Sequence, residues 1–333
     1  MNKRISVIIP VYNGESTIGK CLDAVLASAY DNFEVIVVDD CSADNTADIA
    51  KTFSCNFHRL DKKSGASRAR NTGANKSTGD ILFFIDADCI LQKDTLQNVD
   101  KAFNSLSAAD ISVVIGGTYT KIPYDDVFFS TFQSIFINYS ETKKKEPDYI
   151  ASHAMAIEKD LFLKSNGFPE SFLPIIEDVE FSHRLRKAGV KLMMHPDILV
   201  QHIFNFHLSS SLKNAFKKSK YWTAYSMGHK DVLSDSGTAS LELKANVSIF
   251  FLNALLVPAS HILQNYPLLF SAVFLYFINL FLSRGLIRSF FNSKGLVFTV
   301  TATLYYSLVY PLAVGIGAFS GILEHIKTKR KGI

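Results

Sequence analysis

Asp86-Ala87-Asp88 closes an apolar run, Ile81-Leu82-Phe83-Phe84-Ile85, with the length and composition of a buried strand. Two carboxylates separated by one small residue at a strand end form a cation site open on one side. A hard divalent ion takes oxygen ligands there and keeps positions for the phosphates of a substrate. The run therefore points to metal–diphosphate chemistry at the carboxyl edge of a parallel sheet, where open α/β folds place their ligands. An isolated Asp-x-Asp is also an ordinary solvated turn, so its neighbours decide. Two further polar groups end apolar runs: Pro10-Val11-Tyr12-Asn13-Gly14-Glu15 after Ile5–Ile9, and Asp39-Asp40-Cys41-Ser42 after Phe33–Val38. A carboxylate so placed can accept hydrogen bonds from a base imide or a ribose. No Gly-x-Gly-x-x-Gly follows the first strand and no Gly-x-x-x-x-Gly-Lys-Ser/Thr occurs, which argues against a dinucleotide site and a P-loop.

The elements that must hold these groups alternate. Strands are expected at Ile5–Ile9, Phe33–Val38, Ile81–Ile85 and Ile111–Gly116. Helices are expected at Ser16–Ser28, Thr46–Phe53, Ser67–Lys76 and Asp94–Leu106. Such alternation makes an α/β domain with a mostly parallel sheet covered on both faces. The runs ending at Pro10, Asp39 and Asp86 would then line one crevice.

The 333 residues are unevenly apolar. Residues 1–240 carry charges throughout, whereas Val247–Leu323 carries few, among them Arg284, Arg288 and Lys294. The net charge of +4 gives no case for a nucleic-acid partner. Lys213, Lys217, Lys218 and Lys220 lie just ahead of the apolar tail, where they suit an anionic lipid surface as well as a solvated helix face. Cys21, Cys41, Cys55 and Cys89 show no Cys-x-x-Cys spacing, so neither a zinc site nor a redox pair is expected, and unpaired thiols fit a reducing compartment. Met1-Asn2-Lys3-Arg4 leads straight into a strand without a signal-peptide core, which places the first domain on the cytosolic side.

Together these segments resemble the family 2 inverting glycosyltransferases. The likeness runs through Ser6–Asn13, Val37–Ser42, Ala69-Arg70-Asn71-Thr72-Gly73 and Phe84–Asp88, in order and at matching spacing. It continues in Asn166-Gly167-Phe168-Pro169-Glu170 and in Glu177-Asp178 followed by Phe181, Arg184, Leu185 and Gly189. The resemblance implies a GT-A fold and a nucleotide-diphosphate sugar donor. It assigns Asp40 to the base, and the turn bearing Pro10, Tyr12, Asn13 and Glu15 to base and ribose. Arg70 supports the nucleotide or diphosphate, with a helix-surface arginine as the plain alternative. Asp88 ligates Mg²⁺ or Mn²⁺, with Asp86 and Ala87 beside the ribose or the metal's water shell. Asp178 is the expected general base, since an inverting transfer needs a carboxylate to take the acceptor hydroxyl's proton. His202 completes the metal site, with His207 as the neighbouring alternative. His153, Glu177 and Trp222 fall on the acceptor side, with an ordinary buried histidine as the commoner reading of His153 and packing at the membrane interface as the alternative for Trp222. Lys217-Lys218-Ser219-Lys220-Tyr221-Trp222 stands where processive synthases carry Gln-x-x-Arg-Trp; the departure favours one sugar per encounter.

The expected layout is a catalytic domain over 1–230, a connection over 231–246, a membrane domain over 247–323 and a basic tail over 324–333. Three apolar runs, Val247–Leu263, Leu268–Ser283 and Gly295–Leu323, give two or three spans, the last long enough to span with tilt or with a kink at Pro311. Basic clusters at Arg284, Arg288, Lys294 and at Lys327, Lys329, Arg330, Lys331 both ask for the cytosol, which three simple spans cannot satisfy. The implied protein is a multi-pass enzyme of the inner (plasma) membrane with a cytosolic site and a lipid-linked or glycolipid acceptor of the cell envelope. A nucleotidyltransferase and an inactive, membrane-anchored binding protein on the same fold are the alternatives. The first lacks its Gly- and Arg-rich loop here, and the second would be expected to have lost Asp40, Asp88 or Asp178.

Overall fold

A computed structural model describes residues 3–106, 112–171 and 175–330. Two compact units emerge, residues 1–126 with 141–205, and residues 127–140 with 206–333. This grouping differs from the 1–230 and 247–323 layout expected from composition: residues 127–140 and 206–230 gather with the apolar tail.

The first unit holds β1 (Ile5–Val11), α1 (Ile18–Leu26), β2 (Phe33–Asp39), α2 (Thr46–Lys51), β3 (Asn56–Arg59), α3 (Ala66–Lys76), β4 (Ile81–Ile85), β5 (Cys89–Leu91) and α4 (Thr95–Leu106). After β6 (Val113–Tyr119) and α5 (Phe128–Thr142), most of which belongs to the second unit, come β7 (Ala154–Glu158), α6 (Lys159–Lys164), α7 (Glu177–Lys187) and β8 (Lys191–His202). The eight strands form one sheet in the order β3-β2-β1-β4-β7-β6-β8-β5. β1, β2, β3 and β4 are mutually parallel; β1, β2 and β4 are the continuous apolar runs of strands buried on both faces, and β3, Asn-Phe-His-Arg, is the more exposed edge. The far half is mixed: β7 runs antiparallel to both β4 and β6, and β5 antiparallel to β8. Ile111 of the expected fourth strand lies outside the described residues; the strand itself continues to Tyr119.

Three adjoining residues of α3 explain its motif. Arg70 is buried and turns inward. Asn71 staples the Asn166–Glu170 stretch, donating from Nδ2 to the Phe168 carbonyl at 2.8 Å and accepting the Phe168 N–H at 2.9 Å. Gly73 lets the helix lie on β1, since a Cβ there would come within 2.5 Å of Ile8 Cγ2. Phe84, Phe162, Phe168 and Phe181 form an aromatic floor, with Phe168 and Phe181 centroids 4.8 Å apart, that ties β4, α6 and α7 together beneath the acids.

The second unit is helical: α8 (Leu208–His229), α9 (Leu241–Ile262), α10 (Tyr266–Leu282), α11 (Arg284–Leu304) and α12 (Tyr310–Arg330), together with most of α5. The expected kink at Pro311 is replaced by two other features. The helical path breaks at Gly295, with φ 75°, and a π-helical turn over Tyr305–Val309 widens the helix just ahead of Pro311. Proline has no N–H and crowds the carbonyl four residues back, which a wider turn just ahead of it accommodates. Asn246 donates to the Tyr306 carbonyl at 2.8 Å and accepts from Asn279 at 2.7 Å, which supplies partners to polar groups within the helices. α12 packs on α8 through Gly317 and Gly321, where any side chain would collide with the α8 backbone at Phe216 and Lys220. Lys220 pairs with Glu324 at 2.7 Å, so it is engaged within the unit.

Candidate active site

The parallel register puts the carboxyl ends of β1, β2 and β4 along one edge, as the apolar runs implied. At the β1–β2 end of that edge the backbone does most of the work. Pro10 lies inside β1, paired with Val38. Asn13, at φ 51°, gives its N–H to Ser42 Oγ at 2.8 Å and accepts the Ala43 N–H at 2.9 Å. Glu15 accepts the Asn45 N–H at 3.1 Å. Asp40, buried, accepts the N–H groups of Ser64 and Gly65 at 2.6 and 2.8 Å and so holds the loop that enters α3. Tyr12 is 42% exposed, with Lys63 Nζ 3.6 Å above its ring centre. These residues frame a ledge with an exposed aromatic ring.

The second group gathers after β4. Arg70 reaches Asp86 Oδ1 and Glu177 Oε1, each at 2.7 Å, which removes the helix-surface alternative. Burial opposes its charge, but Asp86 and Glu177 hold it firmly protonated. Burial also acts to raise Asp86, yet Arg70 and the His153 and His202 imidazoles outweigh it and hold that carboxyl below the usual range. Asp88 goes the other way. Burial and then the Asp86 charge push it up to about 7. Its side chain keeps 42% of its surface, so water at the cleft mouth softens that shift. Ala87 is the small spacer that lets both carboxylates enter one cleft.

β8 brings in His202, with Nε2 3.4 Å from Asp88 Oδ1. The ring is stacked on Phe204 at 3.9 Å and met edge-on by Tyr119 at 4.9 Å, which fixes its plane. Asp88, Cys89 and His202 each offer a donor atom, all within 4.8 Å of one another. A carboxylate and an imidazole suit Mn²⁺, and the crowding of Asp86 against Asp88 is the kind of repulsion a divalent cation relieves. The residues therefore fit a divalent metal. His207, the alternative, is instead the N-cap of α8.

Asp178 stands in the first turn of α7 behind Ile176, a residue at φ 81°. It accepts the Ser152 N–H at 3.1 Å. Burial, then the neighbouring Glu177 charge, push it up to about 6, a value suited to a base at neutral pH. His153 follows Ser152 and is buried. It stacks on Tyr119 at 4.0 Å and lies 3.4 Å from Glu141, whose carboxylate also accepts the Thr118 hydroxyl at 2.6 Å. Thus Asp86, Asp88, Glu177, Asp178, Arg70, His153 and His202 converge, whereas Trp222 lies on α8 in the second unit. Tyr119, Glu141 and Cys89 were not foreseen. Only Cys89 carried a signal, its place directly after the paired acids.

A family model described as "Glycosyl transferase family 2" matches residues 6–162. Among curated proteins, Glycosyltransferase GlyA of Streptococcus pneumoniae serotype 4 is 34% identical over 164 residues, 43% of this chain and 23% of that protein. Glycosyltransferase AglE of Haloferax volcanii is 30% identical over 211 residues, 60% of this chain and 66% of that one. The chain thus spans less than two thirds of the length of these relatives. In overall fold it is similar to mannosyltransferase PcManGT from Pyrobaculum calidifontis, solved with GDP-Man and Mn²⁺, with a TM-score of 0.58, 17% identity, and coverage of 98% of this chain and 88% of that one. The parallel β1–β4 edge with its acids and the aromatic floor lie largely within the matched stretch: residues 6–162 of this chain are a glycosyl transferase family 2 domain, and the fold is that of the solved mannosyltransferase.

Proposed function

We propose that the protein is an inverting, metal-dependent glycosyltransferase that moves a single hexosyl unit from a nucleotide-diphosphate sugar to a hydroxyl of a membrane-associated, lipid-linked acceptor. The observation that carries this is the convergence of an acid pair, Asp86 and Asp88, with a separate acid, Asp178, whose affinity for protons is raised. One acid group suits a diphosphate with its cation, and the other suits a proton transfer.

The donor's base and ribose lie on the ledge made by Tyr12, Asn13, Glu15 and Asp40. Tyr12 offers its exposed face for stacking. Asp88 and His202 would hold Mn²⁺ or Mg²⁺, and such an ion would supply stabilisation of charge on a departing nucleoside diphosphate. Arg70, fixed between Asp86 and Glu177, keeps Asp86 ionised and α7 in place. Asp178 takes the acceptor hydroxyl's proton as that oxygen attacks the anomeric carbon from the face opposite the diphosphate, and the configuration inverts. Ser152 N–H holds the carboxylate for this step, and His153 lies on the acceptor side.

Membrane placement draws on the helical unit. Leu241–Ile262 and the stretch Arg284–Lys327 are long and apolar enough to cross a bilayer, and Tyr266–Leu282 is a shorter apolar helix. Phe270, Phe274, Phe277 and Phe281 of α10 are each more than 60% exposed, a face that asks for lipid. Arg284, Arg288 and Lys294 favour the cytosolic side for that end of the helices.

The test is full-length protein with a panel of nucleotide sugars, read by nucleoside diphosphate release. It is run in vesicles of membrane lipid extract and in detergent without lipid. Release with one donor, dependent on the extract and giving a product of inverted anomeric configuration, is expected. Equal turnover onto a soluble acceptor without lipid would remove the lipid-linked acceptor, and a retained configuration would remove the inverting mechanism. Truncation after Ser240 is a poor substitute, because it strips α8 of its partner α12.

A further inference from the structure

We propose that Asp88, Cys89 and His202 form a tight Zn²⁺ site whose occupation shuts transfer off, with the Cys89 sulfur as the ligand that separates zinc from the working metal. This rests on the cleft being a metal–diphosphate site, and extends it by a donor atom that site does not use.

The strand register builds the site. β5 and β8 run antiparallel with Cys89 directly opposite His202. Opposed residues project to the same face, so the thiol and the imidazole emerge together. Asp88 immediately precedes Cys89, and its carbonyl accepts the Ile203 N–H at 2.9 Å, which locks the strand end. His202 Nε2 lies 3.4 Å and Cys89 Sγ 3.9 Å from the same oxygen, Asp88 Oδ1. Zinc bonds of about 2.0 Å to nitrogen and oxygen and about 2.3 Å to sulfur make tetrahedral edges of about 3.3–3.6 Å. The two edges that meet at Asp88 Oδ1 are therefore near those of a zinc tetrahedron, and the third, sulfur to imidazole, is within 4.8 Å and closes as the thiol turns toward the ion. The imidazole needs little reorientation, since Phe204 and Tyr119 hold its plane.

The ligand chemistry sets the selectivity. Mn²⁺ and Mg²⁺ use the carboxylate, the imidazole and phosphate oxygens. Zn²⁺ accepts all of these and binds thiolate strongly as well. As the S–Zn bond forms the Cys89 sulfur loses its proton to water; zinc stays divalent and nothing is oxidised. The result is a site with three protein ligands and one open position. A diphosphate that chelates through two oxygens needs two positions, so a zinc-filled cleft holds the donor wrongly. Cys21 is excluded from the set: its sulfur faces the Asp86 carbonyl at 3.8 Å.

The experiment titrates Co²⁺ alone into full-length, nucleotide-free protein. The expected wild-type spectrum has a near-ultraviolet thiolate-to-cobalt charge-transfer band and strong tetrahedral visible bands, both removed by one equivalent of Zn²⁺. Cys21→Ala keeps both. Cys89→Ser loses the near-ultraviolet band, and its zinc affinity in chelator competition falls on the order of 10²-fold, the scale that even outer partners of a metal reach. Zinc inhibition, measured against each variant's own zinc-free rate, moves to correspondingly higher concentration. A wild-type cobalt spectrum without a thiolate band overturns the proposal, and it does so even if Cys89→Ser fails to fold. Equal zinc affinity in a folded Cys89→Ser overturns it too. Mn²⁺ binding, followed by paramagnetic resonance, separates the two levels: no Mn²⁺ bound by the wild type sinks the metal-cleft assignment itself, whereas Mn²⁺ bound without a cobalt–thiolate band sinks the zinc site alone.

Discussion

Asp39, Asp40 and Asp44, at and just beyond the end of β2, all receive backbone N–H groups, from Ser42, from Ser64 and Gly65, and from Glu15 and Thr46. Asp86, Asp88, Glu177 and Asp178 crowd four carboxylates around one buried guanidinium and two imidazoles, with backbone N–H groups of Ser152 and Val179 reaching Asp178. The outcome differs in sign. Burial tends to raise Asp44, but the Thr46 hydroxyl and the surrounding N–H groups outweigh it and lower the carboxyl. Burial and a neighbouring charge instead raise both Asp88 and Asp178. Backbone donors cannot leave, so the first region is a fixed scaffold. The second is under-compensated, and a cation or a proton is what it lacks. A carboxylate in the first region should therefore matter to stability, and one in the second to chemistry.

The largest expected effect is in the second region. Removing the divalent ion with EDTA should reduce transfer to background, with Mn²⁺ or Mg²⁺ restoring it. Asp88→Asn should cost on the order of 10³ in kcat, matching the several kcal/mol that a metal supplies to a developing charge. Full activity in EDTA would break the comparison, because the acid pair would then need no cation. His202→Ala with an unchanged metal response would remove that ligand alone.

Next comes Asp178→Asn, which keeps the shape and loses the ability to take a proton. Loss of a general base costs about 10²–10⁴ in rate. Nucleoside diphosphate affinity, measured by calorimetry, should stay as in the wild type, since Asp178 is not among the metal or ledge residues. A variant turning over within a factor of about two of wild type would move the base elsewhere. The wild-type pH profile should show kcat/KM falling as pH drops through about 6, because only the ionised carboxylate accepts the proton.

Which parts of this were legible in the sequence follows from how local each signal is. β1, β2 and β4 are continuous apolar runs, and the acids at their ends are adjacent in sequence, so the crevice could be drawn before the structure. β7 hid in Ala154-Met155-Ala156, too small and too short to declare an antiparallel strand between β4 and β6. Glu141 reaches His153 from the end of α5, and Arg70 meets Glu177 from 107 residues away. No spacing rule encodes such pairs; tertiary packing makes them. The tail misled for a similar reason. Pro311 was the visible candidate for a kink, whereas the non-helical backbone lies at Gly295 and a π turn over Tyr305–Val309 precedes the proline. Lys220 looked free for lipid, and its partner Glu324 lies in the last helix.

A smaller effect tests the scaffold side. Asp40→Ala removes the acceptor of two backbone N–H groups and leaves both donors in a buried loop. Hydrogen bonds to a charged group are worth about 1.5–3 kcal/mol each. The variant should melt several degrees lower, lose donor affinity as the loop before α3 loosens, and keep most of its kcat at saturating donor. Wild-type stability with a collapse in kcat would place Asp40 among the reacting groups and erase the distinction between the regions.

The smallest effect, and the sharpest on sign, is the stability of Asp178→Asn across pH. Asp178 has an ordinary value of 3.8 and stands at about 6 in the fold. For an acid raised by folding, ionisation costs stability: the penalty is absent below the ordinary value, grows between the two, and is complete above the folded one. Neutral asparagine carries no such penalty. Asp178→Asn should therefore melt with the wild type near pH 4 and higher than the wild type at pH 8, by an amount on the order of 1 kcal/mol once the altered hydrogen bond from Ser152 is set against the relief. A lower melting point for Asp178→Asn at pH 8 would mean that the Ser152 and Val179 N–H groups outweigh burial and the Glu177 charge at Asp178, and the two regions would no longer differ in kind.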